Sequence, residues 1–328
     1  MASAPIPPSG VWTPSVTLFD PSTDRLDLES QQKYFGYLAH KTGLAGLVIL
    51  GTNAETFLLT REERKQLLAL ARKVADAGER EGKVKIMAGV GGHSLAQVKE
   101  YIDDALEVGG IEYLLVLPPG YFGASKEVVE GFYAEVSGYV AGKGVGIVLY
   151  NFPGVCNGVD LDSETISRLA KKHDNIVGVK LTCGSVAKIT RLAAEFPPER
   201  FAVFGGQSDF LLGGLSVGSA GCIAAFGNVF PKTIVQVYNL YKEGKTQEAL
   251  QLHRKAALAE QALKAGGIAS TKYAASVFTA PLAGIEDAGD KMRPRRPYLP
   301  PGDEVKKKIR EALAEVAAIE NSIVGGHS

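Results

Sequence analysis

NIVGVKLT (175–182) is short, rich in β-branched residues and carries one lysine near its end. Runs of this kind occur eight times: VWTPSVTLF (11–19), LAGLVILG (44–51), KVKIMAGV (83–90), EYLLVLP (112–118), VGIVLYN (145–151), NIVGVKLT itself, FAVFGG (201–206) and AGCIAAFG (220–227). Helical patterns separate them, which is the signal of βα units and a parallel sheet. Their ends lie roughly 20 to 40 residues apart, room for one helix and two loops per interval. Eight units in about 240 residues match a closed (β/α)8 TIM barrel, with a doubly wound open sheet as the alternative.

The helices announce themselves at their starts. TREERKQLLALARKV (60–74) opens with a capping box from Thr60 to Glu63, has acidic residues first and basic ones later, and repeats apolar positions at helical spacing. Similar starts are expected at Ser94 with Gln97, and at Ser125, Asp162 and Ser208. Gly43, Gly78 and Gly109 read as helix stops. After Gly227 the pattern is helical only, over 231–280 and 303–321, joined by KMRPRRPYLPPGD. The expected organisation is a catalytic barrel over 1–230 and a C-terminal helical appendage over 231–328, with the final GGHS frayed.

Composition limits the ligand. The chain has 328 residues, 45% hydrophobic and 22% charged, with 36 basic and 36 acidic side chains and zero formal net charge. Such a balance lacks the electrostatic footprint for nucleic acid or an anionic membrane surface, so a small molecule is the expected partner. No apolar run approaches the roughly 18 residues of a membrane helix. Three cysteines without a CxxC pair fit a reducing compartment. The start, MASAPIPPSG, lacks the marks of a secretory or mitochondrial leader, and the expected location is cytoplasmic.

Strand alternation places Ile176, Gly178, Lys180 and Thr182 on one face and Val177, Val179 and Leu181 on the other. The β-branched face of a barrel strand packs on helices, so Lys180 points to the axis at the mouth where barrel enzymes carry their chemistry. Burial in a partly apolar pocket disfavours an ammonium, as an amine nucleophile requires. The bland reading is a lysine that snorkels or pairs with a carboxylate, but the inward faces of the fifth and sixth runs carry no acidic residue. Tyr150 shares the inward parity on the preceding run and can exchange protons beside Lys180; alone it would read as a core tyrosine. In GTNAE (51–55), successive N–H groups together with Thr52 and Asn53 can hold a carboxylate. GVGGHS (89–94) lacks the ending of a phosphate loop and reads as a tight turn. The five histidines have no zinc-site spacing, so no metal is expected.

Taken in order, GVWTPSVTLF, GTNAETFLLTREER, PPGYF, YNFP, GVKLTCG and RRPYLPP resemble the Schiff-base aldolase family that contains dihydrodipicolinate synthase, N-acetylneuraminate lyase, 2-keto-3-deoxy sugar acid aldolases and 4-hydroxy-2-oxoglutarate aldolase. The resemblance implies that Lys180 forms the Schiff base and Tyr150 shuttles protons. It implies further that Thr52 and Asn53 bind the pyruvate carboxylate, that Tyr121 reaches a neighbouring subunit's site to extend a Thr–Tyr–Tyr relay, and that Thr182, Gly206 and Ile223 line the pocket. No cofactor is implied, and the implied assembly is a homotetramer. Two departures guide the choice within the family. Val155 stands where the synthase usually has an arginine, and Ala225 where the sialic-acid lyases usually have a serine. The spelling is closer to the 4-hydroxy-2-oxoglutarate and 2-keto-3-deoxy acid aldolases. The expected reaction is therefore pyruvate-forming cleavage of a 2-oxo acid. Alternatives are a synthase-type condensation, a pyruvate-binding barrel without turnover, and a phosphate-binding barrel enzyme, the last opposed by the absence of a basic residue from the GGQS and AAFG turns.

Overall fold

Residues 4–78, 80 and 84–323 are described in the structure, a computed structural model. Its eight strands are β1 (Gly10–Pro14), β2 (Gly46–Ile49), β3 (Lys85–Gly89), β4 (Tyr113–Val116), β5 (Gly146–Asn151), β6 (Ile176–Leu181), β7 (Ala202–Gly205) and β8 (Gly221–Ile223). They pair in parallel in chain order, and β8 pairs back to β1 to close the barrel. The open-sheet alternative is thereby excluded. Helices α1 (Leu28–Lys41), α2 (Arg61–Ala75), α3 (Leu95–Val108), α4 (Lys126–Val140), α5 (Ser163–Lys172), α6 (Val186–Glu195), α7 (Leu211–Leu215) and α8 (Pro231–Lys242) follow the strands in turn.

Alternation divides the core into two layers. Inside the barrel, Trp12, Val48, Met87, Tyr113, Val148, Phe204 and Ile223 fill the axis, while Leu47, Ile49, Ile86, Leu149 and Val179 face the helices. Trp12 makes edge contacts with Tyr113 and Phe204, at ring-centroid separations of 5.8 and 6.3 Å. Gly46 makes that possible, since a Cβ there would lie 2.3 Å from the indole.

The parity read from sequence needs one correction. Ile176 packs in the outer layer and Val177 in the inner one, the reverse of the expected assignment. The cause is a bulge: Ile147 is opposite Ile176 but Val148 is opposite Gly178, so β6 carries one extra residue there. Beyond the bulge, Tyr150 is opposite Lys180 and the inward reading holds.

The Thr60–Glu63 capping box is present on α2, and Ser94, Ser125 and Asp162 cap α3, α4 and α5. Ser208 does not start a helix. α7 begins at Leu211 after an uncapped Phe210, and the Ser208 hydroxyl is engaged elsewhere.

No strand follows β8 among the described residues. Helices α9 (Thr246–Lys264), α10 (Gly267–Phe278), α11 (Ala288–Lys291) and α12 (Asp303–Ser322) pack on one another, α9 and α12 also against α8, while α9 and α10 reach the barrel mouth. Glu320 of α12 accepts the backbone N–H groups of Lys232 and Thr233 at the start of α8, fixing the last helix to the barrel. Residues 1–3 and the GGHS tail lie outside the described residues. Among the described residues, no helix is long and apolar enough to cross a membrane.

Candidate active site

Strand pairing brings Lys180 and Tyr150 side by side near the C-terminal ends of β6 and β5. Lys180 is 2% exposed, and its Nζ donates to the Tyr150 hydroxyl at 3.2 Å. The same nitrogen lies 4.3 Å from the centroid of the Tyr150 ring. Among the described residues, the polar contact of this amine is a phenol and not a carboxylate. The ion-pair reading of the lysine therefore fails. Tyr150 continues the chain, its Oη standing 3.4 Å from Thr52 Oγ1, while its ring stacks on Phe152.

Thr52 and Asn53 open a single 3-10 turn, Thr52–Ala54, directly after β2. The first N–H groups of such a turn have no partner within it. A network behind the turn holds it in place. Thr17 Oγ1 donates to the Ala54 carbonyl at 2.8 Å, and Glu55 closes the turn in the left-handed conformation with φ 56°. The Glu55 carboxylate accepts from Lys272 Nζ at 2.6 Å and from the Arg295 N–H at 2.7 Å. Arg295 in turn donates to both oxygens of Glu63. Burial pushes the Lys272 ammonium down to about 8, against the opposing pull of Glu55.

A cavity of about 280 Å³ opens above these groups, with Thr52, Asn53, Tyr150, Lys180, Thr182 and Gly206 among its lining residues. Gly206 is required by close approach. A Cβ there would sit 2.1 Å from Thr182 Oγ1 and 2.5 Å from Thr182 Cα. The Thr182 hydroxyl is buried without a described protein partner, which leaves it free for a ligand. Two expected residues are not among the lining. Ile223 is wholly buried in the inner layer. Tyr121 is 75% exposed, set edge-on to His93 and Phe122 along a separate groove. Among the described residues, no group of three His, Cys, Asp or Glu side chains is placed to hold a metal ion.

The roof of the cavity escaped the sequence reading. Gln207, Glu260, Lys264 and Thr271 line it, three of them from α9 and α10. Glu260 is 6% exposed, and its oxygens accept from the Ser208 N–H at 3.3 Å and the Ser208 hydroxyl at 2.6 Å. The Ser208 carbonyl meets His253 Nε2 at 2.7 Å. Burial pushes the Glu260 carboxyl up to about 7. A signal was available: Ala249, His253, Ala256, Glu260 and Leu263 fall on one stripe of α9, where an acid has no business unless partnered.

The chain matches the Dihydrodipicolinate synthetase family over residues 7–316. It is 60% identical over 317 residues to "Putative 4-hydroxy-2-oxoglutarate aldolase, mitochondrial" of Coccidioides immitis, covering 96% of this chain and 98% of the relative. It is 34% identical over 326 residues to "Probable 4-hydroxy-2-oxoglutarate aldolase, mitochondrial" of Emericella nidulans, covering 98% and 99%. To the L-threo-3-deoxy-hexylosonate aldolase of Aspergillus niger it is 32% identical over 346 residues, covering 98% and 99%. The crystal structure of a dihydrodipicolinate synthase family protein from Coccidioides immitis aligns with TM-score 0.88 at 57% identity, covering 97% of this chain and 98% of that one. The cytoplasmic expectation is overturned, because the first two of these relatives carry a mitochondrial location in their names. That expectation rested on the composition of the first ten residues, which does not decide a compartment.

Proposed function

The chain belongs to the Dihydrodipicolinate synthetase family, and from that membership we propose that it is a pyruvate-forming class I aldolase, an aldehyde-lyase that works through a Schiff base on Lys180. The observation that supports the role of Lys180 is its buried amine 3.2 Å from the Tyr150 hydroxyl, with the Thr52 hydroxyl next in line. The substrate is a 4-hydroxy-2-oxo acid of the kinds that the relatives' names point to, 4-hydroxy-2-oxoglutarate or a 2-keto-3-deoxy sugar acid.

The substrate carboxylate sits at the turn of Thr52 and Asn53, where N–H groups and hydroxyl converge. The neutral Lys180 amine adds to the C2 carbonyl carbon while Tyr150 protonates the carbonyl oxygen. Loss of water, with Tyr150 again moving the proton, gives a protonated imine. Tyr150, left as a phenolate by that step with the Thr52 hydroxyl beside it, then takes the proton of the C4 hydroxyl. The C3–C4 electron pair flows into the iminium, C4 leaves as the aldehyde, and an enamine of pyruvate remains. Protonation at C3 and hydrolysis release pyruvate and restore the lysine. Thr182 and Gly206 shape the wall beside the imine, and Ile223 supports it from below.

Tyr121, solvent-exposed here, serves the site of a neighbouring copy in a homotetramer, and the protein works in the mitochondrion, as the names of two relatives have it. Borohydride reduction with pyruvate should add one pyruvate-derived mass, located at Lys180 by peptide mapping. No adduct at Lys180 overturns the reading. An adduct without aldehyde release from any 4-hydroxy-2-oxo acid would mark a binding protein instead.

A further inference from the structure

A substrate with its carboxylate at Thr52 and its C2 on Lys180 extends C4 and beyond toward the rest of the cavity, whose remaining polar walls are Gln207, Glu260, Lys264 and Thr271. Those walls have a definite chemistry. Lys264 is already ion-paired with Asp209 and also reaches Gln207 Oε1, so the cation beside Glu260 is occupied. Val155, at the position discussed above, offers no charge either. Glu260 has both oxygens held by Ser208 through its N–H and hydroxyl, and a carboxylate accepts about four hydrogen bonds, so acceptor capacity remains toward the cavity.

We infer that Glu260 selects the aldehyde half of the substrate, accepting hydrogen bonds from the hydroxyls of a polyhydroxy chain and disfavouring a second carboxylate there. This rests on the aldolase reading above and narrows it to sugar-acid substrates. A carboxylate fixed on a rigid helix recognises hydroxyl hydrogens without rearrangement, whereas a distal carboxylate would meet like charge beneath a roof whose lysine, Lys264, is already paired with Asp209.

The selection depends on the charge of Glu260. The charged and titratable groups around it are Asp209 from the loop after β7, Lys264 and His253 on its own helix, and Cys222 on β8, with Lys180 of β6 in the same cavity. Its carboxyl is pushed up to about 7, so acceptance of hydroxyls and rejection of a carboxylate strengthen together as pH rises through neutrality.

The test uses the full-length enzyme and measures kcat/KM by pyruvate release for a 2-keto-3-deoxy-hexonate and for 4-hydroxy-2-oxoglutarate. Both are run from about pH 6 to about pH 8, with pyruvate trapping at Lys180 in parallel. The wild type should favour the hexonate, with a ratio that rises toward the alkaline end. Glu260→Gln should shift the ratio roughly 10-fold or more toward the dicarboxylate and flatten its pH dependence, while trapping stays within about 2-fold of wild type. A wild-type preference for the dicarboxylate at pH 8, or a ratio flat with pH, overturns the inference. An unchanged ratio in a Glu260→Gln variant that still traps pyruvate does the same. If that variant fails to fold, the wild-type pH series decides alone. Absence of an adduct in the wild type would instead defeat the aldolase reading itself.

Discussion

Replacing Tyr150 by Phe removes one oxygen and leaves the rest of its setting in place. The ring keeps its stack on Phe152 at 5.7 Å and its position 4.3 Å from Lys180 Nζ, so the cavity keeps its shape. What disappears is the hydroxyl between Lys180 at 3.2 Å and Thr52 at 3.4 Å. A positioned proton-transfer group contributes roughly 10²- to 10⁴-fold, or about 2.7 to 5.5 kcal/mol of barrier. Tyr150→Phe should therefore lower kcat at least ~100-fold and slow imine formation with it. The Thr52 contact lies at the long end of hydrogen bonding, so Thr52→Val should cost kcat only about 10-fold, with a rise in KM from its place at the carboxylate turn. In the proposed relay Thr52 acts on proton transfer through Tyr150, so the double variant should match the kcat of Tyr150→Phe alone and not the product of the two losses. Pyruvate release at saturating substrate and borohydride-quenched single turnovers measure both steps. A Tyr150→Phe kcat within about 3-fold of wild type, or fully multiplicative losses in the double variant, would refute the relay.

Other perturbations test the frame around the site. Lys272→Met strands a Glu55 carboxylate whose side chain is 3% exposed, and should cost about 3–5 kcal/mol in chemical denaturation; adding Glu55→Gln should recover part of that loss. Gly206→Ala should lose about 1–3 kcal/mol and most pyruvate trapping, because its methyl would strike the Thr182 backbone, while Gly36→Ala in α1, with no atom within 4 Å, should gain roughly 0.5–1 kcal/mol. Glu260 has a carboxyl raised from 4.5 to about 7, so the native state binds more protons than the unfolded one between those values. Stability should fall as pH rises across that window, by up to about 3 kcal/mol from this group, and Glu260→Gln should remove that share of the slope in denaturation at a pH series.

How much was legible follows from where each signal lives. A strand facing helices on one side and a barrel axis on the other must be short, apolar and β-branched, and all eight runs showed this. Lys180 and Tyr150 stood out because alternation is a local rule, needing only the strand they sit on. Alternation alone exchanges Ile176 and Val177, because a bulge adds a residue without changing composition and its position is settled by pairing with β5. Glu260 lies on no strand, so strand alternation says nothing of it; α9 carries it back across the barrel mouth. Ser208 has the composition of a cap but is drawn away by the Glu260 carboxyl, a partner 52 residues further on. Tyr121 stands exposed beside His93 and Phe122, outside the cavity, because it follows β4 in a loop where strand alternation no longer sets direction.

The Glu55 anchor also carries a schedule. Its partners lie 217 and 240 residues downstream, at Lys272 and Arg295. A chain growing at about 5–20 residues per second takes roughly ten to fifty seconds to make the later one. During that interval the nascent barrel holds an acid, at the end of the Thr52–Ala54 turn, without the partners it is buried with. The turn proposed to hold the substrate carboxylate is therefore among the last parts of the site to be fixed as the chain leaves the ribosome.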